Sequence, residues 1–331
     1  MTDTSYRAPV PAPSLTPESG ADVLRRVRDT VSARVIGQDD VIDDALTAFL
    51  SRGHLLIEGV PGTAKTLLVR SLATALGVRF ARIQFTPDLM PSDVTGVSVV
   101  RDAARGFEYH PGPIFTDVLL ADEINRAPAK TQAALLEAMA ERQVTVDGTS
   151  RSLGPLFTVF ATQNPVEHEG TFPLPEAQLD RFLLKSVMSY PSVDAELEML
   201  ARHEAGFDPE DAAALGEAAI TGEEAHALRS MVDRVRVAPD VRSYIASLTR
   251  ATREEPAITL GASPRATVAL MRAARAAAVL EGRDFVTPDD VKSRVASVLR
   301  HRVTLAPELE VEGRVVDDVL ALIASRIAVP E

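Results

Sequence analysis

Residues 59 to 66 read GVPGTAKT, directly after the apolar run LLIE and directly before Leu68, Leu72 and Leu76 at successive i+4 positions. That order is strand, glycine-rich loop, helix. Gly59 and Gly62 let the loop wrap tightly, so that backbone N–H groups and the following helix N-terminus converge on phosphate oxygens. The cradle runs through Val60, Pro61, Thr63 and Ala64 to Leu67. Lys65 would neutralise the β and γ phosphates of a nucleotide, and Thr66 would offer its hydroxyl to Mg²⁺. Glycine ordinarily precedes this lysine. Ala64 adds one methyl and tolerates helical dihedrals, so the loop is expected to form. A chance turn is the competing reading, opposed by the strand before and the helix after.

A second apolar run, VLLADE, ends in the adjacent acids Asp122 and Glu123. In a parallel sheet the strand C-termini face the ligand crevice. Asp122 would hold Mg²⁺ through its water shell, and Glu123 would act as base on the attacking water. The pair points to hydrolysis over passive binding, against the alternative of two helix-capping acids. A third run, FTVFATQNP, brings the Asn164 amide to the same edge, where it could position water against the γ phosphate. Asn-Pro is also a common turn.

These residues need a sheet to hold them together. Short apolar runs at 54–58, 80–84, 118–121, 156–161 and 183–187 alternate with helical stretches, which predicts an α/β sandwich on a mostly parallel sheet. Residues 1–19, with Pro9, Pro11, Pro13 and Pro17 among small polar residues, are expected to form a flexible tail. From Ala21 the spacing of Val23, Leu24, Val27 and Val31 is helical. Residues 20–190 are expected to be the core, and 191–331 a smaller all-helical domain with no strand. Residues 94–110 and 142–157 read as hairpin inserts, the second turning at Asp147-Gly148.

The chain has 331 residues, 46% of them hydrophobic, with a formal charge of −12 and no cysteine. Disulfide frameworks, thiolate metal sites and cysteine catalysis are excluded. The acidic balance gives nonspecific nucleic-acid binding no global electrostatic support. No apolar run approaches the ~18 residues of a membrane span, and the first residues do not read as a secretion signal. A cytoplasmic protein is expected. The six histidines (54, 110, 168, 203, 226 and 301) show no metal-ligand spacing, His168 between Glu167 and Glu169 reading as a solvated loop. Arg272, Arg275 and Arg283 read as a solvated helical face.

GVPGTAKT, LLADEINRAPAKTQAALLEAMAERQVTVDG, FATQNP, LPEAQLDRFLLK and GASPRA, in this order, closely resemble the MoxR family of AAA+ ATPases, and the resemblance runs from about Val23 to Val329. It implies an αβα ATPase domain with a helical lid, built into a ring, typically a hexamer, with ATP and Mg²⁺ between subunits. Lys65, Thr66, Asp122, Glu123 and Asn164 keep the roles above. Val35, Ile36 and Gly37 look like the adenine-side hinge. Arg181 looks like the arginine finger that reaches the neighbour's γ phosphate, with Arg126 and Arg142 as rivals and a local pair with Asp180 as the bland alternative. Arg265 looks like the second sensor, contacting phosphate within its own subunit. The hairpins look like inserts that project toward the pore or a partner.

The resemblance implies a chaperone or maturation factor acting on a protein, with a separate von Willebrand factor A domain partner. A DNA-directed motor, a magnesium-chelatase-like metal-insertion subunit and a nucleotide-gated scaffold are the alternatives.

Overall fold

The computed structural model describes residues 15–102, 106–165, 171–208, 211 and 216–330. His168 with its flanking acids, and the expected tail up to Ser14, lie outside the described residues. From the N-terminus, α1 (Pro17–Ser32) and α2 (Asp39–Leu50) lead into β1 (Leu55–Gly59), α3 (Lys65–Ala75) and β2 (Phe80–Gln84). A single turn, α4 (Pro91–Thr95), introduces the hairpin of β3 (Gly96–Asp102) and β4 (Gly106–Pro111). Then come β5 (Val118–Asp122), α5 (Ala129–Glu141), the hairpin of β6 (Gln143–Val146) and β7 (Thr149–Ser152), and β8 (Thr158–Gln163). The one-turn α6 (Glu176–Leu179) precedes β9 (Leu184–Met188). Beyond it lie α7 (Val193–Glu204), α8 (Gly222–Arg234), α9 (Pro239–Glu254), β10 (Ile258–Leu260) and α10 (Pro264–Leu280). α11 (Pro288–Leu299), β11 (Thr304–Leu305), α12 (Pro307–Val311) and α13 (Val316–Arg326) complete the order.

The central sheet has the order β2-β5-β8-β1-β9, and every neighbouring pair is parallel. Its apolar strands follow from coverage on both faces. Leu55, Ile57, Val118, Leu120 and Phe160 enter one core with α1, α2, α3 and the helices from α8 to α11. Leu56, Leu119, Ala121, Val159 and Ala161 point the other way, onto Leu135, Leu136 and Met139 of α5. The helical region therefore shares its core with one face of the sheet.

Local signals explain the element ends. Thr16 and Ser19 form a reciprocal capping box with Pro17 at the first turn, so α1 begins before Ala21, and its stripe of Val23, Leu24, Val27 and Val31 is buried. Asp147 and Gly148 both take positive φ, 51° and 73°, as a tight hairpin turn requires. The expectation of no strand after Tyr190 is corrected: β10 and β11 form an antiparallel pair. With three and two residues, they are too short to show a period of two.

One buried cation ties the helical region to the strand that carries Asn164. Arg229 of α8 donates to Pro155 O at 2.8 Å and to Thr158 Oγ1 at 2.5 Å, and its guanidinium lies 4.0 Å from the Phe49 ring centroid. Burial pulls its pKa down to about 9.

Candidate nucleotide-hydrolysis site

The strand order sets β1, β8 and β5 side by side, with Glu58 opposite Gln163 and Ala121 opposite Ala161. The phosphate loop, Asn164 and the acid pair therefore leave the sheet at one edge. They open into a cleft of about 1110 Å³, lined by Pro61 to Leu67, Asp122, Glu123, Thr162 and Asn164.

Within the loop, Gly59 is required sterically, since a Cβ there would lie 2.6 Å from Met188 O. Gly62 has φ +83°. Ala64 departs from the sequence expectation of helical dihedrals: it is left-handed, with φ 65° and ψ 24°. This is the reason glycine is the common residue there, because an L side chain in that region costs about 1–2 kcal/mol. Lys65 Nζ folds back on the loop, donating to Gly59 O at 2.7 Å and Val60 O at 2.6 Å. Burial lowers its pKa, and Asp122 and Glu123 act in the opposite direction.

Both acids are held. Asp122 accepts from Thr162 Oγ1 at 2.5 Å and from Arg82 Nη2 at 2.6 Å. Glu123, left-handed at φ 56°, accepts from Gln84 Nε2 at 2.7 Å and pairs with Arg126 Nε at 3.2 Å. Its backbone N–H donates to Thr162 Oγ1 at 2.9 Å. Asn164 is buried at the same wall. The Thr66 hydroxyl and the Asp122 carboxylate are the hard oxygen donors that Mg²⁺ takes. Among the described residues no group of three or more His, Asp or Glu could hold a metal unaided. This donor set fits a Mg²⁺ that arrives with phosphate oxygens, as that ion usually does.

The opposite wall is formed by Val35 and Ile36, with Tyr190 and residues of α7 including Met199, Leu200 and His203. Gly37 does not line the cleft; at φ +73° it packs under α7, where a Cβ would meet Ala195 Cβ at 2.8 Å. Gln38 fixes the hinge by donating to Ser189 O at 3.0 Å. Arg34 also lines this wall, and its Nη1 is buried without a hydrogen-bond partner among the described residues. Sequence reasoning missed Thr162, Arg82, Gln84, Arg34 and the α7 wall. The short motif ATQN could have flagged Thr162, which lies two residues before Asn164. The α7 residues carry no signal apart from apolar side chains on a helix that lacks a buried stripe.

The arginines separate clearly. Arg126 pairs with Glu123 of its own chain. Arg142, the left-handed cap of α5, donates to Arg52 O at 2.5 Å. Arg181 is exposed, donates to Leu136 O at 2.9 Å, and precedes β9 at the sheet edge opposite the phosphate loop. A five-residue strand puts roughly 16 Å between those edges. The local pair with Asp180 is not formed, because Asp180 binds Arg302 at 2.7 Å. Arg265 is not brought into its own cleft: at the start of α10 it lies 3.9 Å from Asp180, beside Arg181. Packing of α10 against α9, α11 and α1 holds it there. Of the other lid arginines, Arg272 is exposed, as expected of a solvated face, whereas Arg275 and Arg283 are half-buried. Arg272 donates to Ser51 O, and Arg283 grips Asp290 at 2.5 and 2.7 Å.

Residues 54–184 match the ATPase family associated with various cellular activities (AAA), and residues 250–322 match the AAA lid domain. Chaperone MoxR1 of Mycobacterium tuberculosis is 41% identical, over 93% of this chain and 82% of that protein. The uncharacterised protein YeaC of Bacillus subtilis is 46% identical, over 93% and 95% of the two chains. A crystal structure of a protein from Cytophaga hutchinsonii assigned as an ATPase superimposes with a TM-score of 0.86 at 38% identity, covering 95% of this chain and 97% of the other. The parallel sheet and the helical lid agree with these matches, and the chain belongs to the MoxR family of AAA ATPases.

Proposed function

We propose that this chain hydrolyses ATP as one subunit of a ring and uses the cycle to remodel a separate protein. One observation carries the reading. The loop, Asp122, Glu123 and Asn164 share one cleft, while Arg181 precedes β9 at the opposite sheet edge and Arg265 lies 3.9 Å from the adjoining Asp180. A complete site then needs two copies, the cleft of one and the arginine edge of the next.

In this scheme ATP lies with its base between Val35, Ile36 and the α7 wall and its phosphates on the loop. Lys65 exchanges its two loop carbonyls for phosphate oxygens. Thr66, and Asp122 through water, would hold Mg²⁺, which neutralises charge on the β and γ phosphates. Glu123 leaves Gln84 and Arg126 to take a proton from the attacking water, which the Asn164 amide orients. The bond between the γ phosphorus and the bridging oxygen breaks, releasing ADP and phosphate. Arg181 of the neighbour spreads positive charge over the departing oxygens, with Arg265 beside it.

Val193, Leu197 and Leu200 of α7 form an exposed stripe at spacings of four and three on the rim of the cleft. That stripe supports subunit contact at this rim. The two hairpins would carry nucleotide-driven movement to a client, in the cytoplasm, with a von Willebrand factor A domain protein as the expected partner class. MoxR1 is named a chaperone, which supports the client reading.

The test is ATP turnover against protein concentration, with oligomer mass and ATP binding recorded. Glu123→Gln should bind ATP without turnover. Arg181→Ala should assemble and bind ATP but lose about 10³-fold in rate. Strictly linear turnover by a monomer would defeat the shared site.

A further inference from the structure

Arg302 lies in the turn between α11 and β11, with its side chain 5% exposed. A guanidinium has five N–H donors in a fixed fork, and here each has an acceptor. Nε donates to Asp180 Oδ1 at 2.7 Å, and Nη2 to Phe182 O at 2.5 Å and Asp180 O at 3.4 Å. Nη1 donates to Leu183 O at 3.0 Å and to Val298 O. Four of the five bonds fall on the segment that carries Arg181: one on the Asp180 carboxylate and three on the carbonyls of Asp180, Phe182 and Leu183. His301 adds a second donor to Phe182 O, Nε2 at 3.1 Å. Burial and the neighbouring Arg302 charge push the His301 pKa down, which keeps the ring neutral.

A buried arginine that only stabilised the fold would be satisfied by any acceptors. These acceptors hold one short segment between α6 and β9, whose exposed product is the Arg181 side chain. That exposed side chain donates to Leu136 O, so where its guanidinium stands depends on this bond and on where its backbone is fixed. The gripping residue belongs to the helical region, and α11 is tied to the sheet side by Arg294, which meets Asp44 at 2.8 Å.

We propose that Arg302 is a positioning residue for Arg181: the lid turn sets where the neighbour-directed guanidinium stands, so lid position and trans-acting chemistry are coupled through this one fork. The inference rests on the reading of Arg181 as the residue that reaches the neighbouring site. Lysine keeps the charge beside Asp180 but has three donors and no planar fork, so Arg302→Lys loosens the segment while leaving the chain's own cleft untouched.

The experiment compares wild type, Arg181→Ala, Arg302→Lys and Asp180→Asn for oligomer mass, ATP affinity, kcat and KM, alone and mixed with Glu123→Gln subunits. Arg302→Lys should assemble, bind ATP within about threefold of wild type, keep its KM and lose on the order of 10²-fold in kcat, the loss that a ~1 Å misplacement produces. Mixing should restore turnover, because Glu123→Gln subunits present an intact Arg181 to the intact Arg302→Lys clefts. The double variant Arg181→Ala/Arg302→Lys should be no slower than Arg181→Ala. If Arg302→Lys fails to assemble, Asp180→Asn, which keeps the main-chain bonds, carries the same mixing test with a smaller fall. Wild-type turnover by an assembled Arg302→Lys ring, with Arg181→Ala inactive, overturns the inference alone. A loss of activity that mixing does not restore also overturns it, since the damage then lies in the variant's own cleft. Normal turnover by Arg181→Ala would remove the underlying reading instead.

Discussion

The Thr162 hydroxyl stands between the two acids: it donates to Asp122 Oδ1 at 2.5 Å and accepts the Glu123 backbone N–H at 2.9 Å. Thr162 is fully buried, so no water replaces either bond. Thr162→Val keeps the shape and removes both partners, and an unsatisfied buried polar group costs about 1–3 kcal/mol. We expect that loss in denaturant unfolding. We also expect at least a tenfold fall in kcat with ATP affinity nearly unchanged, because the phosphate loop is not touched. Wild-type kcat in a folded Thr162→Val protein would remove Thr162 from the site.

Ala64 offers a backbone test of the phosphate loop. At φ 65° its methyl stores strain, which glycine would relieve at an entropic cost of about 0.5–1 kcal/mol. Ala64→Gly should therefore change stability by less than about 1 kcal/mol and leave ATP affinity within a few-fold. Ala64→Val places a β-branched side chain where positive φ is a genuine outlier, and should weaken ATP binding by tenfold or more. Isothermal titration of both variants checks this, and equal affinities would mean that the loop does not use this conformation when loaded.

Much of this architecture was legible because periodicity and motif context act within a few residues. β2 runs from Phe80 to Gln84 as its apolar run indicated, and the Asp147-Gly148 turn needed only two residues to declare itself. The acids and Asn164 were legible because parallel strands bring their C-termini to one edge. What was not legible depends on distant packing. Arg265 follows Ser263-Pro264 in a recognisable segment, yet its position depends on how α10 packs against α1, α2, α8, α9 and α11, which no local pattern encodes. Arg302 meets Asp180 across 122 residues of sequence. Ala64 was misjudged because a one-residue change of dihedral sign leaves no trace in composition.

Arg82 and Mg²⁺ should compete for one carboxylate. Arg82 Nη2 lies 2.6 Å from Asp122 Oδ2, on a side chain that is 47% exposed. An arginine there keeps the carboxylate partnered before the nucleotide and its metal arrive. Arg82→Gln removes that competitor, so the Mg²⁺ concentration for half-maximal ATP turnover should fall several-fold at saturating ATP. Chelation of Mg²⁺ should abolish turnover in both proteins. An unchanged or higher Mg²⁺ requirement in Arg82→Gln would show that Arg82 assists the metal-bound state instead.

His54 makes the fold sensitive to mild acid. Its Nδ1 accepts the Val159 N–H at 2.9 Å, Nε2 faces Met139 O at 3.2 Å, and the ring is fully enclosed. Burial, reinforced by the nearby Arg142 charge, pulls its pKa from the ordinary 6.5 down to about 3. In the unfolded chain the same imidazole takes up a proton as pH falls through its ordinary value. Between those two values unfolding binds a proton that the folded chain does not, so stability decreases as pH falls, by up to about 1.4 kcal/mol per pH unit. Above pH 7 the effect is absent. His54→Gln can retain an acceptor for Val159 but has no such proton to gain. The stability difference between wild type and His54→Gln, measured by denaturant unfolding from pH 7.5 to 4.5, should therefore move in favour of the variant as pH falls. Asp43 and Asp44, whose pKa values burial raises, contribute equally to both proteins and cancel. A difference that stays flat across that range would mean that His54 is protonated in the folded chain, and that its contacts with Val159 and Met139 are not those of a neutral ring.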